Sequence, residues 1–107
     1  MEALPTTQPQ FAASCALDTH ETRQQLERYR HVGEGATVLE RSPRRLALRL
    51  RPDVDRDEVA EAVATERQCC PFYAIDWNPD SRELSFGVDH EHEPALGAIA
   101  EGFGLSR

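Results

Sequence analysis

The stretch Arg45-Leu46-Ala47-Leu48-Arg49-Leu50-Arg51 alternates between the two faces of an extended chain. Its three leucines would lie on one face and Ala47, Arg49 and Arg51 on the other, the period of two that is typical of a half-buried strand. A second short strand is predicted near residues 36–41, across the turn-forming residues Ser42-Pro43-Arg44. The pattern therefore predicts an antiparallel hairpin with one covered and one solvated face.

A helix is predicted directly after this hairpin. Pro52 ends the strand, and Asp55 with Glu58 has the spacing of a capping box that opens a helix from about Arg56 to Cys69 or Cys70. Its buried stripe begins at residues 59, 62 and 63, and the same spacing places Glu66 near the buried face. Pro71 ends the helix, because the residue before a proline is disfavoured in the helical region.

A second hairpin is predicted from residues 72–77 and 82–89, which flank the turn Asn78-Pro79-Asp80-Ser81. Two further helices complete the chain. The first runs from about residue 19 to residue 32 and ends at Gly33, and the last opens at Pro94. The expected inward residues are Leu26, Tyr29 and Val32 in the first helix, Leu84, Phe86 and Val88 in the fourth strand, and Leu96, Ile99 and Phe103 in the last helix.

The element order α-β-β-α-β-β-α predicts an α+β fold. We expect a two-layer sandwich, in which a four-stranded, mostly antiparallel sheet carries the helices on one face. Residues 11–107 are long enough for one domain with one modest core. Residues 1–10 are predicted to be a disordered tail, because a polar stretch with two prolines cannot contribute to a core.

Composition excludes several classes of function. The net charge of −7, with the arginines scattered among carboxylates, argues against a nucleic-acid partner. All twelve basic residues are arginine, so neither Schiff-base chemistry nor a P-loop lysine is available. No apolar run approaches the roughly 18–20 residues that span a bilayer, and residues 1–10 are not expected to be a signal peptide, because no basic region is followed by an apolar one. The expected compartment is the reducing cytoplasm, where structural disulfides are rare.

Adjacent cysteines at the end of the central helix are the main chemical signal. Cys69 and Cys70 are predicted either to bind a soft metal ion or to form a reactive thiol pair, and the alternative is that they only pack in the core. The helix C-terminus and Glu66 both raise a thiol pKa, which disfavours a nucleophile and favours a cation. A disulfide between neighbours would also be strained, since their Cα atoms lie only about 3.8 Å apart.

Three more positions could join this chemistry. Cys15 is a candidate third thiolate, and Glu66 is a candidate ligand or proton acceptor that can reach both cysteines from the preceding turn. His90 and His92 form a second candidate metal site in the stretch Asp89-His90-Glu91-His92-Glu93, although a solvated acidic loop is the more usual structure for such a stretch.

These residues also resemble a known pattern. Cys15-Ala16-Leu17, Glu66-x-x-Cys69-Cys70-Pro71-Phe72 and the alternating strand at residues 83–88 are similar to a family of small, largely uncharacterised bacterial proteins with an early Cys-x-Leu and an E-x-x-C-C-P-F motif. Similar segments occur alongside mercury-type regulators. The resemblance implies a heavy-metal or thiol-stress setting, with Phe72 as a further residue of interest.

We therefore expect a small cytoplasmic binding protein, rather than an enzyme, that holds a thiophilic metal or metalloid ion through Cys69 and Cys70. Zinc, copper(I), mercury and arsenic are the candidate ions, because thiolates select soft ions. Another small thiol-reactive ligand is a further candidate partner. The first alternative is a thiol redox or thiol-transfer enzyme, and the second is a non-catalytic interaction module whose cysteines are structural.

Overall fold

The elements of the fold follow one another in the predicted order. The structure is a computed structural model that describes residues 19–105. Its elements are α1 (Thr19–Gly33), β1 (Thr37–Ser42), β2 (Arg45–Arg49), α2 (Arg56–Cys69), β3 (Ala74–Asn78), β4 (Glu83–Gly87), a 3-10 turn (His90–His92) and α3 (Glu93–Gly102). The predicted tail at residues 1–10 lies outside the described residues. The helices between residues 19 and 105 are all too short or too polar to span a lipid bilayer.

One sheet contains all four of these strands, in the spatial order β1-β2-β4-β3, and every neighbouring pair is antiparallel. The two hairpins meet at the β2–β4 pairing, where Leu46 lies opposite Phe86 and Leu48 opposite Leu84. These four side chains are at most 1% exposed and form the centre of the core. The alternating pattern therefore predicted the covered face of the sheet correctly.

The helices lie on that covered face. Val59, Ala62 and Val63 of α2 are buried as predicted, and α3 buries Leu96 and Ile99. The opposite face of the sheet is solvated, with Ala47, Ser85 and Asp76 aligned across three strands. The α+β two-layer architecture is confirmed.

The start of α2 depends on one side chain. Asp55 accepts hydrogen bonds from the backbone N–H groups of Asp57 at 3.0 Å and Glu58 at 3.2 Å, which satisfies two donors that have no partner within the helix. The Glu58 carboxylate, the expected second half of a capping box, instead lies 2.7 Å from Nδ1 of His31 and connects α1 to α2.

The start of β3 and the inward face of α1 differ from the expectation, and β2 and β4 are shorter than expected, ending at Arg49 and Gly87. β3 begins at Ala74 rather than Phe72, because Pro71 and Phe72 form a turn in which the Tyr73 N–H donates to the Cys70 carbonyl at 3.2 Å. Leu26, expected in the buried stripe of α1, is 37% exposed, and Gln25 occupies the buried position beside Tyr29. The inward face of α1 is therefore more polar than predicted.

Candidate thiol site

Cys69 and Cys70, at the end of α2, differ in backbone conformation and in burial. The helix ends at Cys69, and Cys70 leaves the helical region with φ −133° and ψ 72°, while its N–H still donates to the Glu66 carbonyl at 2.7 Å. Pro71 accounts for this break, because the residue before a proline favours an extended conformation. As a result Cys70 is fully buried and Cys69 is only partly buried.

The two sulfur atoms also differ in chemical state. Cys69 carries a free thiol, whereas Cys70 is disulfide-bonded. Cys15, the third predicted member of the site, lies outside the described residues, so its role as a third thiolate stays a prediction. A metal ion could use the Cys70 sulfur only after reduction of its disulfide, because a soft cation binds thiolates.

Glu66 lies inside the protein, one turn before the cysteines. It is 1% exposed, as the helical spacing predicted. The Tyr29 hydroxyl of α1 donates to its Oε1, and Gln25 Nε2 donates to the same oxygen at 3.3 Å and to the Ala62 carbonyl at 2.8 Å. Gln25, Tyr29 and Glu66 are called the polar cluster below. They connect α1 to α2 at the end that carries the thiols.

Burial has the largest effect on the pKa values of Glu66 and Tyr29 in this cluster. It raises the pKa of the Glu66 carboxyl above its ordinary value, although the hydrogen bonds from Tyr29 and Gln25 oppose the shift by stabilising the anion. Burial and the neighbouring Glu66 charge raise the pKa of the Tyr29 phenol well above its usual range. Tyr29 therefore keeps its proton at neutral pH and acts as a donor.

The free thiol of Cys69 has two negatively charged neighbours, Glu66 and Glu21. Partial burial raises the pKa of Cys69, and the negative charges of Glu66 and Glu21 raise it further. A nucleophilic thiolate instead needs a positive neighbour or a helix N-terminus. A bound cation would reverse this preference, because it displaces the thiol proton and is attracted by the same carboxylates.

Aromatic rings pack against one another at the turn that follows the cysteines. The Phe72 ring stacks on the His92 imidazole, with centroids 4.0 Å apart and planes 8° apart, and also contacts Tyr73. The Tyr73 hydroxyl donates to the Ala95 carbonyl at 2.9 Å and anchors the turn to α3. Trp77 lines a separate cleft of about 500 Å³ whose lining residues include neither Cys69 nor Cys70.

The second candidate metal site contains different residues from those predicted. His90 Nδ1 lies 3.0 Å from Glu93 and His92 Nδ1 lies 2.6 Å from Asp89, so each histidine has its own acidic partner. Among the described residues, the group whose ligand atoms lie within 4.8 Å of one another is Asp89, Glu91 and His92, without His90. Exposed acidic groups of this kind are common without a bound ion.

Sequence reasoning did not connect three residues of α1 with the end of α2 that carries the cysteines. Glu21, Gln25 and Tyr29 follow one another at intervals of four, so they lie along one side of the helix. This spacing was visible in the sequence. The choice of Leu26 as an inward residue followed hydrophobicity alone and missed it.

Comparisons with protein families, with curated proteins and with solved structures found no match to this chain.

Proposed function

We propose that the protein binds a thiophilic metal or metalloid ion at the end of α2, through the thiols of Cys69 and Cys70 in their reduced state. The observation that carries the proposal is the position of the partly exposed Cys69 thiol in the negative field of Glu66 and Glu21. Zinc, copper(I), mercury(II) and arsenite are the candidate ligands, because thiolates select soft ions over hard ones.

Each cysteine has a distinct part in this proposal. Cys69 is accessible and would meet the ion first, while the buried Cys70 would complete the site once its disulfide is reduced. The proposal places the protein in the cytoplasm, where glutathione and thioredoxin keep thiols reduced. Glu66 is either a ligand or the nearby acceptor of a thiol proton, and Cys15 is a candidate third thiolate.

Titration of the reduced protein tests the proposal. Wild type and the variants Cys69→Ser and Cys69→Ser/Cys70→Ser would be reduced, freed of reductant under argon and titrated calorimetrically with each of the four candidate ligands. Wild type should bind at least one of them with release of protons, and with an apparent affinity that rises with pH, because the thiols must ionise. Equal, weak binding by wild type and both variants would contradict the proposal and leave the cysteines with a structural role in an interaction module.

Thiol–disulfide exchange is a second candidate function, favoured by the disulfide at Cys70 beside the free thiol of Cys69. In this reaction a dithiol donor would be oxidised to a disulfide, and the protein disulfide would be reduced to two thiols. Equilibration with glutathione buffers of known potential, followed by mass spectrometry, measures the reduction potential of the disulfide. A potential below about −300 mV would identify a structural disulfide and contradict a redox role.

A further inference from the structure

The polar cluster joins two helices through buried polar groups, whose burial costs free energy. Gln25, Tyr29 and Glu66 are each at most 1% exposed. Burial of a carboxylate costs free energy, and apolar residues of similar volume often replace a buried ionic group without loss of stability. Stability alone therefore gives no reason for a carboxylate at this contact between α1 and α2.

The geometry of the cluster gives Glu66 one fixed position. Arg28 Nη1 donates to Gln25 Oε1 at 3.0 Å, which turns the amide nitrogen toward the Ala62 carbonyl, Glu66 and the Tyr29 hydroxyl. The two donors from α1 converge on the same oxygen, Oε1. A carboxylate held by two such donors cannot rotate away without breaking buried hydrogen bonds.

The held carboxylate belongs to the last turn of α2, which ends at Cys69. Glu66 is three residues before Cys69 in the same helix, a spacing that brings two side chains together, whereas Cys70 has left the helical region. Its charge acts on the Cys69 thiol, and its carbonyl accepts the Cys70 N–H. The oriented group and the sulfur atoms therefore share one end of α2.

We infer that Tyr29 and Gln25 are positioning residues of the thiol site, which act on the bound ion through Glu66 and do not touch the ion themselves. This inference rests on the proposed function. Groups that hydrogen-bond a metal's neighbours orient those neighbours, and their loss typically lowers metal affinity by about 10–100-fold. According to this inference, α1 contributes to the binding site as well as packing on the sheet.

A pair of matched phenol-to-phenyl substitutions tests this inference. Tyr29→Phe removes the donor to Glu66, and Tyr73→Phe removes another buried hydroxyl, whose partner is the Ala95 carbonyl. Both reduced variants and wild type would be titrated with cobalt(II), a spectroscopic substitute for zinc, and with zinc itself in competition with a chromophoric chelator. Unfolding in urea would measure the stability of each variant.

Tyr29→Phe should weaken zinc binding about tenfold or more and change the visible cobalt(II) spectrum, which reports the ligand geometry. Tyr73→Phe should stay within about twofold of wild type and keep the wild-type spectrum. Gln25→Leu, which removes the other donor, should shift affinity and spectrum in the same direction as Tyr29→Phe and provides a second test if Tyr29→Phe is poorly folded.

Wild-type affinity and spectra in both Tyr29→Phe and Gln25→Leu would overturn the inference while leaving the proposed function in place. Loss of affinity to the same extent in Tyr29→Phe and Tyr73→Phe, without a spectral change, would also overturn it, because that result indicates general destabilisation. If wild type binds none of zinc, copper(I), mercury(II) and arsenite, the proposed function fails, and the inference fails with it.

Discussion

The Tyr29 hydroxyl of α1 donates a hydrogen bond to the carboxylate of Glu66 in the last turn of α2. Both residues are 1% exposed, so the bond lies away from water and its loss would leave a buried carboxylate oxygen with one donor fewer. The bond gives the first helix a direct structural connection to the region that carries Cys69 and Cys70.

Tyr29→Phe should therefore lower the free energy of unfolding by about 1–3 kcal/mol, the usual cost of an unsatisfied buried polar group. Urea unfolding at neutral pH, followed by circular dichroism, measures the change. Tyr73→Phe is the control, and it should cost about 0.5–1.5 kcal/mol because it removes a hydrogen bond to a neutral carbonyl. A smaller loss for Tyr29→Phe than for Tyr73→Phe would contradict the importance of the bond.

The Cys69 thiol should react slowly at neutral pH, because burial and the charges of Glu66 and Glu21 raise its pKa. Glu66→Gln and Glu21→Gln should each lower this pKa and speed alkylation at pH 7. The rate of iodoacetamide modification of the Cys69 peptide, followed by mass spectrometry from pH 6 to pH 10, gives the pKa.

Glu61→Gln is the matched control for this measurement. Glu61 is an exposed carboxylate on α2, and its charge is not among the causes of the Cys69 shift. Its alkylation profile should coincide with that of wild type. Identical profiles for wild type, Glu66→Gln and Glu21→Gln would show that these carboxylates do not act on the thiol.

Leu48→Ala should destabilise the fold by about 2–5 kcal/mol, the range for removal of a fully buried leucine side chain. Leu48 is 0% exposed and lies opposite Leu84 at the centre of the sheet. Leu26→Ala is the control, since Leu26 is 37% exposed, and it should cost far less. Similar costs for the two variants, measured by chemical unfolding, would show that the core is not centred on the β2–β4 pairing.

The contrast between these two leucines shows what the sequence could predict. In a strand, successive residues point to opposite faces, so alternation placed Leu46, Leu48, Leu84 and Phe86 correctly without knowledge of their neighbours. Helical spacing likewise placed Glu66 on the buried face of α2, because Val59, Ala62 and Val63 define that face clearly.

The predictions were wrong where tertiary contacts, and not the local sequence pattern, determine which residues face inward or interact. α1 has few apolar residues, so its orientation depends on partners in α2 that the sequence does not identify, and Gln25 faces inward where Leu26 was expected. The histidines separate because the Asp89 side chain caps the 3-10 turn and also contacts His92 Nδ1, while His90 lies beside Glu93. Such hydrogen bonds between neighbouring side chains leave no periodic signal.

The raised pKa of Glu66 makes stability depend on pH in a definite direction. Burial raises the pKa of this carboxyl in the folded state. Between the ordinary glutamate pKa of about 4.3 and the folded-state pKa, Glu66 therefore keeps its proton in the native protein and loses it in the unfolded chain. The free energy of unfolding therefore contains a contribution that is largest below this pH and is lost as the pH rises through the folded-state pKa, with a slope of at most about 1.4 kcal/mol per pH unit. Glu66→Gln removes this contribution.

The stability of wild type minus that of Glu66→Gln should accordingly decrease as the pH rises from about 4 toward neutrality. Urea unfolding of both proteins at half-unit pH intervals measures the difference, and two-state fits at each pH give the free energies. Glu61→Gln serves again as the control, because an exposed carboxylate should give a nearly constant difference from wild type. A Glu66→Gln difference that stays constant or increases with pH would show that the two donors from α1 outweigh burial, and that Glu66 is held as an anion beside the thiols throughout this range.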